Sequence, residues 1–272
     1  MSGPLPAPPS VATADGKRLV VSGVGALGDM LISDGAGRAH WGPPGLPAGL
    51  ISPATESFWF TADTSASADG AVITPWSNRV TPFQVMDATY GNLIKRAYGG
   101  PGGGPWADDS ASGRLTNAIA TPLGSFTQFM VIKPGPVLAL PQCVLGGSVG
   151  TAMFMGLQIN NTVFVMAEVN DVVGASVAQL PANTWSFVSV RLDAATGPNT
   201  FSVRVNNISR TVVMGGGARV FSADVENIAA SRHPAYFNAF NGGLAEFGGW
   251  NSALTDAQLD SLQRGISSKY GI

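Results

Sequence analysis

Residues 242–272, GGLAEFGGWNSALTDAQLDSLQRGISSKYGI, decide the fold. Leu244–Trp250 reads as a strand, followed by a tight connection and a convincing helix. Thr255 is placed as the N-cap, and Gln258 three residues later completes a T-x-x-Q capping box. Leu254, just before the cap, can staple onto Leu259. Leu259, Leu262, Ile266 and Tyr270 recur at helical spacing, so the helix carries one apolar stripe that needs a surface to cover. A single amphipathic helix after many strands predicts the closing element of an all-β body.

The rest of the composition agrees. Only 12% of the 272 residues are charged and 45% are hydrophobic, enough for a substantial core. The 35 glycines and 19 prolines suit many turns rather than long helices. A net charge of −2 and the lack of any basic run argue against a nucleic-acid partner. One cysteine, Cys143, excludes an intrachain disulfide and a cysteine zinc cage, and reads as a small buried hydrophobe. MSGPLPAPPS at the N-terminus has neither a basic nor an apolar signal region, so synthesis in a cytoplasm without a signal peptide is expected. No run approaches the roughly 18 apolar residues of a membrane span, and no membrane insertion is expected.

Residues 1 to about 14 form a Pro/Ala/Ser arm without periodicity. Between residues 15 and 50, short apolar runs (Leu19–Val21, Met30–Ile32) are cut by glycine turns, and Asp34-Gly35 is a hairpin signal. Runs this short cannot bury a core alone and should lean on an oligomer or a larger assembly. Pro43-Pro44 and Pro47 make a stiff linker. The division expected is residues 1–52, an arm and attachment or oligomerisation leader, and 53–272, a β-sandwich.

From Ile51 onward, β runs recur. Ser57–Thr61 is a short aromatic strand. Phe126–Ile132 is apolar on both faces and should be central and buried, and Thr162–Val169 behaves likewise. Trp185–Leu192 comes next, then a Gly-Pro turn and the cleanly alternating Phe201–Asn206. Val220–Ala229 and Leu244–Trp250 complete the series. Many short strands, turn residues and one late helix predict a two-sheet antiparallel sandwich.

Three passages carry a family resemblance. FWFTADTSASADGAVITPWS, residues 58–77, resembles the opening of concanavalin A-like jelly-roll domains of the laminin-G type: an aromatic strand, an acidic Ser-rich turn, then W-x-D/N, here Trp76-Ser77-Asn78. Trp185…Asn206-Asn207 is similar to their W-x-x-V-x-V…V-x-V-N-G hairpin, with Asn207 where glycine is usual. The C-terminal segment is similar to their G-x-I-A-E…L-S/T-x-x-E/Q…Y-L-x-x-K-Y-G, with Ile266 near the aromatic position. The resemblance covers about residues 55–272. Residues 1–50, with LGDMLISDGAGRAHW, resemble the Gly-rich leaders of bacteriophage fibre and spike proteins, which implies docking to other virion proteins and a homo-oligomer, a trimer by that resemblance.

Several motifs have both a chemical and a structural reading. Gly23–Gly28 matches G-x-G-x-x-G, but Asp34-Gly35 and Gly42-Pro43-Pro44 stop the helix a dinucleotide site needs, and no acidic residue lies between Asp34 and Glu56. Gly146–Gly150 matches G-x-S-x-G around Ser148, with His233 downstream in hydrolase order, yet TAMFMGLQINN after it reads as strand and turn rather than helix. Both are expected to be glycine turns. Retaining glycosidases need carboxylates roughly 5 Å apart; Glu56, Glu168, Glu226 and Glu246 show no such clustering, and Glu246 reads as structural. Trp106, Asp108 and Asp109 lie in GGPGGGPWADDS, where an exposed indole can stack on a sugar ring and carboxylates can accept hydroxyl hydrogen bonds or ligate Ca²⁺. Nothing further supports a cation, so no cofactor or metal is expected. Equally, Trp106 can start a buried strand and the aspartates can be a solvated turn. His233, Tyr236 and Asn238 in SRHPAYFNAFNGG form a second candidate glycan loop or cap the sandwich. His40 beside Trp41 reads as a packing contact. Phe58, Trp59, Phe60, Trp185, Phe187 and Phe201 read as core and interface material.

Taken together, the sequence predicts a non-enzymatic structural and adhesion subunit on a virion surface, a fibre, spike or appendage binding host surface polysaccharide. The alternatives are a purely architectural capsid or tail decoration that binds no sugar, and a glycan hydrolase or lyase.

Overall fold

The computed structural model describes residues 10–12, 18–22, 30–33, 38–42, 56–62, 65, 67–78, 85–90, 93–109, 114–119, 124–136, 142–146, 154–157, 160–166, 179–197, 200–213, 225–228 and 238–272. Near the N-terminus, β1 (Ser10–Ala12), β2 (Arg18–Ser22), β3 (Met30–Ser33) and β4 (Arg38–Gly42) form a small sheet in the order β1-β2-β4-β3. β3 and β4 pair antiparallel on either side of Asp34-Gly35, as that dipeptide predicts, while β2 and β4 run parallel.

Two larger sheets make an all-β sandwich. One runs β17 (Ile208–Val213), β16 (Thr200–Val205), β15 (Ser186–Leu192), β11 (Phe126–Pro134), β20 (Gly242–Trp250), β9 (Trp106–Asp108), β8 (Ile94–Arg96), with β5 (Glu56–Thr61) also paired to β20. The other runs β14 (Val163–Met166), β13 (Phe154–Leu157), β12 (Gln142–Gly146), β18 (Val225–Ile228), β10 (Arg114–Ile119), β7 (Val85–Tyr90), β6 (Trp76–Ser77), with β19 (Asn238–Ala239) parallel beside β12. Their facing residues merge into one core in which Val144, Leu145, Leu157 and Val163 of the second sheet join Phe58, Phe60, Met130, Ile132, Val188, Val190 and Phe247 of the first. Phe60 stacks on Phe247 at 4.8 Å between centroids, and Trp76 meets Phe247 edge-on at 5.4 Å.

The first sheet is apolar on both faces because α1 (Asp256–Tyr270) covers its outer side. Thr255 accepts from the Gln258 amide and the Gln258 side chain accepts from the Thr255 amide, so the predicted capping box is formed. Gly271 ends the helix in the left-handed region, at φ 68°, where a Cβ is disfavoured. Leu254, Leu259, Leu262, Ile266 and Tyr270 pack with Trp59, Phe129, Val131, Phe187, Ala245 and Trp250. Arg191 bonds both Asp256 and the Leu254 carbonyl, and Arg204 pairs with Asp260, which sets the helix across β15 and β16.

Two predicted details change. Phe126–Ile132 is central and buried as expected, but β14 ends its sheet, pairing with β13 apart from a single Thr162–Gln179 bridge. An apolar run reports burial, here of Val163, and not position in a sheet. Among the core aromatics, Trp185 is only partly buried. The motifs of the family resemblance have structural work: the Asn78 side-chain oxygen accepts from the Trp59 amide at 2.9 Å, the Trp76 indole donates to the Thr61 carbonyl at 2.7 Å, and Asn206, at φ 48°, turns the chain between β16 and β17. Cys143 is fully buried in β12, and burial pushes its thiol well above its ordinary titration range.

Candidate functional site

The outer face of the helix-side sheet can be read residue by residue from the pleat. In β9, Ala107 enters the inter-sheet core, so Trp106 and Asp108 project to the other side. Register places Lys133 of β11 opposite Gly243 of β20, and Gly243 opposite Asp108. Trp185 immediately precedes β15 on the far side of Lys133. Trp106 and Trp185, both partly buried, therefore meet over Gly243 with centroids 5.8 Å apart and planes at 83°.

Gly243 makes that meeting feasible. A Cβ there would stand 2.7 Å from Trp185 Cη2 and 2.8 Å from Trp106 Cε3. The Trp106 indole donates to the Tyr98 carbonyl at 3.1 Å, which fixes its orientation, and Tyr98 itself is 79% exposed. The Lys133 ammonium stands 4.0 Å from the centre of the Trp106 ring and 5.3 Å from that of Trp185. Arg96 holds Asp108 through two contacts of 2.9 Å. The result is an aromatic notch whose two indoles pack, as Ile272 does, against the cluster under the helix.

Next to it lies a buried polar tie. A register shift in β20 opposite Val131 and Ile132 lets Ala245 and Glu246 both face the helix, where strict alternation allows one. Glu246, 2% exposed, accepts from the Trp59 indole at 2.7 Å, from Lys269 at 2.7 Å and from the Tyr270 hydroxyl. The structural reading of Glu246 holds, through side-chain donors of the helix and β5.

The predicted site residues separate. Trp106 and Asp108 sit on one face of a strand rather than on a loop tip. Asp109 comes at the strand end, buried, with its amide bonded to the Gly242 carbonyl. Asn238 lies in β19, in the other sheet. His233 and Tyr236 lie outside the described residues, as do Ser148 and the Gly23–Gly28 motif. Among the described residues no three His, Cys, Asp or Glu side chains gather as metal ligands, and no helix is long and apolar enough to cross a membrane. Lys133 and Trp185 were missed by sequence reading. The only signal was register, through the pairing of Gly243 with both neighbours.

No protein-family model matches the chain, and no curated protein sequence matches it significantly. Solved structures do. Domain 4 of a GH43 extracellular arabinanase from Geobacillus stearothermophilus, in complex with arabinotriose, aligns with TM-score 0.54 and 14% identity over 76% of this chain and 98% of that one. An arabinofuranosidase complexed with arabinofuranosyl-alpha-1,2-xylobiose aligns with TM-score 0.57 and 12% identity over 73% of this chain and 51% of that one. Trypanosoma rangeli sialidase with 2,3-difluorosialic acid aligns with TM-score 0.50 and 14% identity over 89% and 36%. This chain thus spans about half of the arabinofuranosidase and about a third of the sialidase. At such identities the likeness is one of fold, an all-β sandwich.

That likeness corrects the functional expectation. These three structures come from carbohydrate-active enzymes, not particle subunits, which overturns both the virion fibre, spike or decoration reading and the expectation of a non-enzymatic chain. The physical reason is visible in the leader. Gly-rich stretches between short apolar runs are common to small sheets of any function, and the runs here pair as β1–β4, so they carry no information about a particle.

Proposed function

We propose that this chain engages carbohydrate through a concanavalin A-like, laminin-G-type jelly roll, and that its sugar contact is the notch formed by Trp106, Trp185 and Gly243. The observation that carries this reading is the pair of partly buried indoles, held at 83° over a glycine floor. Indole faces take the C–H surfaces of a sugar ring, and fixed rings lose little conformational freedom on binding. Asp108, set by Arg96, and Lys133 supply an acceptor and donors for hydroxyl groups at the rim. The fold likeness to glycan-bound domains favours the same class of ligand.

The test is affinity electrophoresis of the full chain through gels containing arabinan, xylan, galactan or mannan, with reducing-end release measured in parallel. At least one polysaccharide should retard the wild type, and Trp106→Ala and Trp185→Ala should each abolish the retardation while near-UV circular dichroism stays native-like. Equal retardation of wild type and both variants sinks the assignment of the notch. No retardation by any glycan sinks the function.

A further inference from the structure

The notch also carries a charge pattern. Arg96 and Asp108 neutralise one another across β8 and β9, whereas Lys133 has no such partner: among the described residues no carboxylate lies within ion-pair distance of its ammonium. What holds it is the pair of indoles, at 4.0 and 5.3 Å from the ring centres. A ring quadrupole attracts a cation, but it accepts no conventional hydrogen bond in the plane of the amine's donors. An ammonium has three N–H donors and no acceptor. The ring contacts therefore orient the amine while leaving donors for a ligand.

Gly243 lies opposite both Lys133 and Asp108 in the sheet register, and its missing side chain lets the two indoles lie down on the strand between them. A neutral sugar seated against those rings would receive ordinary hydroxyl bonds from Lys133. A sugar bearing a carboxylate would receive charge-assisted ones, shorter and roughly twice as strong, in a partly desolvated site where screening is weaker. We propose that the notch selects a uronate-bearing glycan, with Lys133 as the partner of the sugar carboxylate and the Trp106 and Trp185 rings receiving the apolar face of the same residue. This rests on the reading of the notch as the sugar contact.

The experiment uses the full chain and two probes, polygalacturonate and alginate, each beside its carboxyl-reduced neutral form, by titration calorimetry at low and high salt. Lys133→Met keeps an unbranched stem over the indoles and removes the charge. The wild type should bind at least one acidic polymer about tenfold tighter than its reduced form, the effect of one hydrogen bond to a charged group. That preference should fall with salt and vanish in Lys133→Met, which should bind the acidic and the reduced polymer alike. Equal binding of acidic and reduced polymers by the wild type overturns the proposal, as does a preference that survives in Lys133→Met. Silence toward both acidic polymers also overturns it. If the neutral glycans still retard the chain, only the charge assignment falls. If they too are silent, the sugar reading falls with it.

Discussion

The two faces of the helix-side sheet both bury aromatic rings, but by different means. The inner face is hydrocarbon and ring: Phe58, Phe60, Met130, Ile132, Val188, Val190 and Phe247 meet the other sheet, and the Phe60–Phe247 stack is nearly parallel at 5°. The outer face mixes rings with ions. Trp59, Phe129 and Phe187 lie under the helix, but Glu246, Lys269 and Tyr270 are buried or nearly so among them, and Arg191 and Arg204 reach over to the helix. Apolar contact is non-directional, so the inner face determines that two sheets pack. Charged and hydrogen-bonded contacts fail when displaced by an ångström, so the outer face determines where the helix lies. Its position matters because the two indoles of the notch pack against the cluster under the helix.

Substitutions can break or sharpen that contrast. Phe247→Ala empties the centre of the inner face and should lower the unfolding free energy by about 3–5 kcal/mol, measured by guanidinium denaturation. Glu246→Ala should cost about 3 kcal/mol, because it leaves Lys269 and two buried donors without their acceptor. Glu246→Gln, which keeps an acceptor, should cost about 1–2 kcal/mol. A loss of under ~0.5 kcal/mol for Glu246→Ala would place the outer face on a par with solvent-exposed surface and erase the distinction. Smallest of all is Gly243→Ala. Its new methyl would stand under 3 Å from Trp185 Cη2 and Trp106 Cε3, so the two indoles must shift, at a cost of about 1 kcal/mol. Sugar retardation should nonetheless be lost, since the rings must part. Unaltered retardation would detach the notch from the activity.

Much of the sandwich was legible because its signals are local. The capping box, the staple and the apolar stripe of α1 lie within sixteen consecutive residues, 255–270, and the one before them, and all formed. The alternation in Phe201–Asn206 maps onto buried Phe201, Val203 and Val205. Less legible were strands lacking a clear run, such as β8 and β9, three residues each, which exist because β20 offers them an edge. The candidate site was half read for the same reason. Trp106 and Asp108 stand out as residue types, but Lys133 and Trp185 join them only through register across strands far apart in sequence. Glu246 was recognisable as structural, yet its partners were not, because the bulge that turns it toward the helix leaves no mark in the pattern.

The position of β20 bears on how the chain is made. It is the hub of its sheet, pairing with β5, β9 and β11, and it begins only at Gly242. During synthesis these three strands leave the ribosome long before the strand that joins them. Apolar runs such as Phe126–Ile132 must wait with unpaired edges, a state prone to misassociation. A premature stop upstream of Gly242 is expected to yield an unclosed sheet rather than a shorter sandwich.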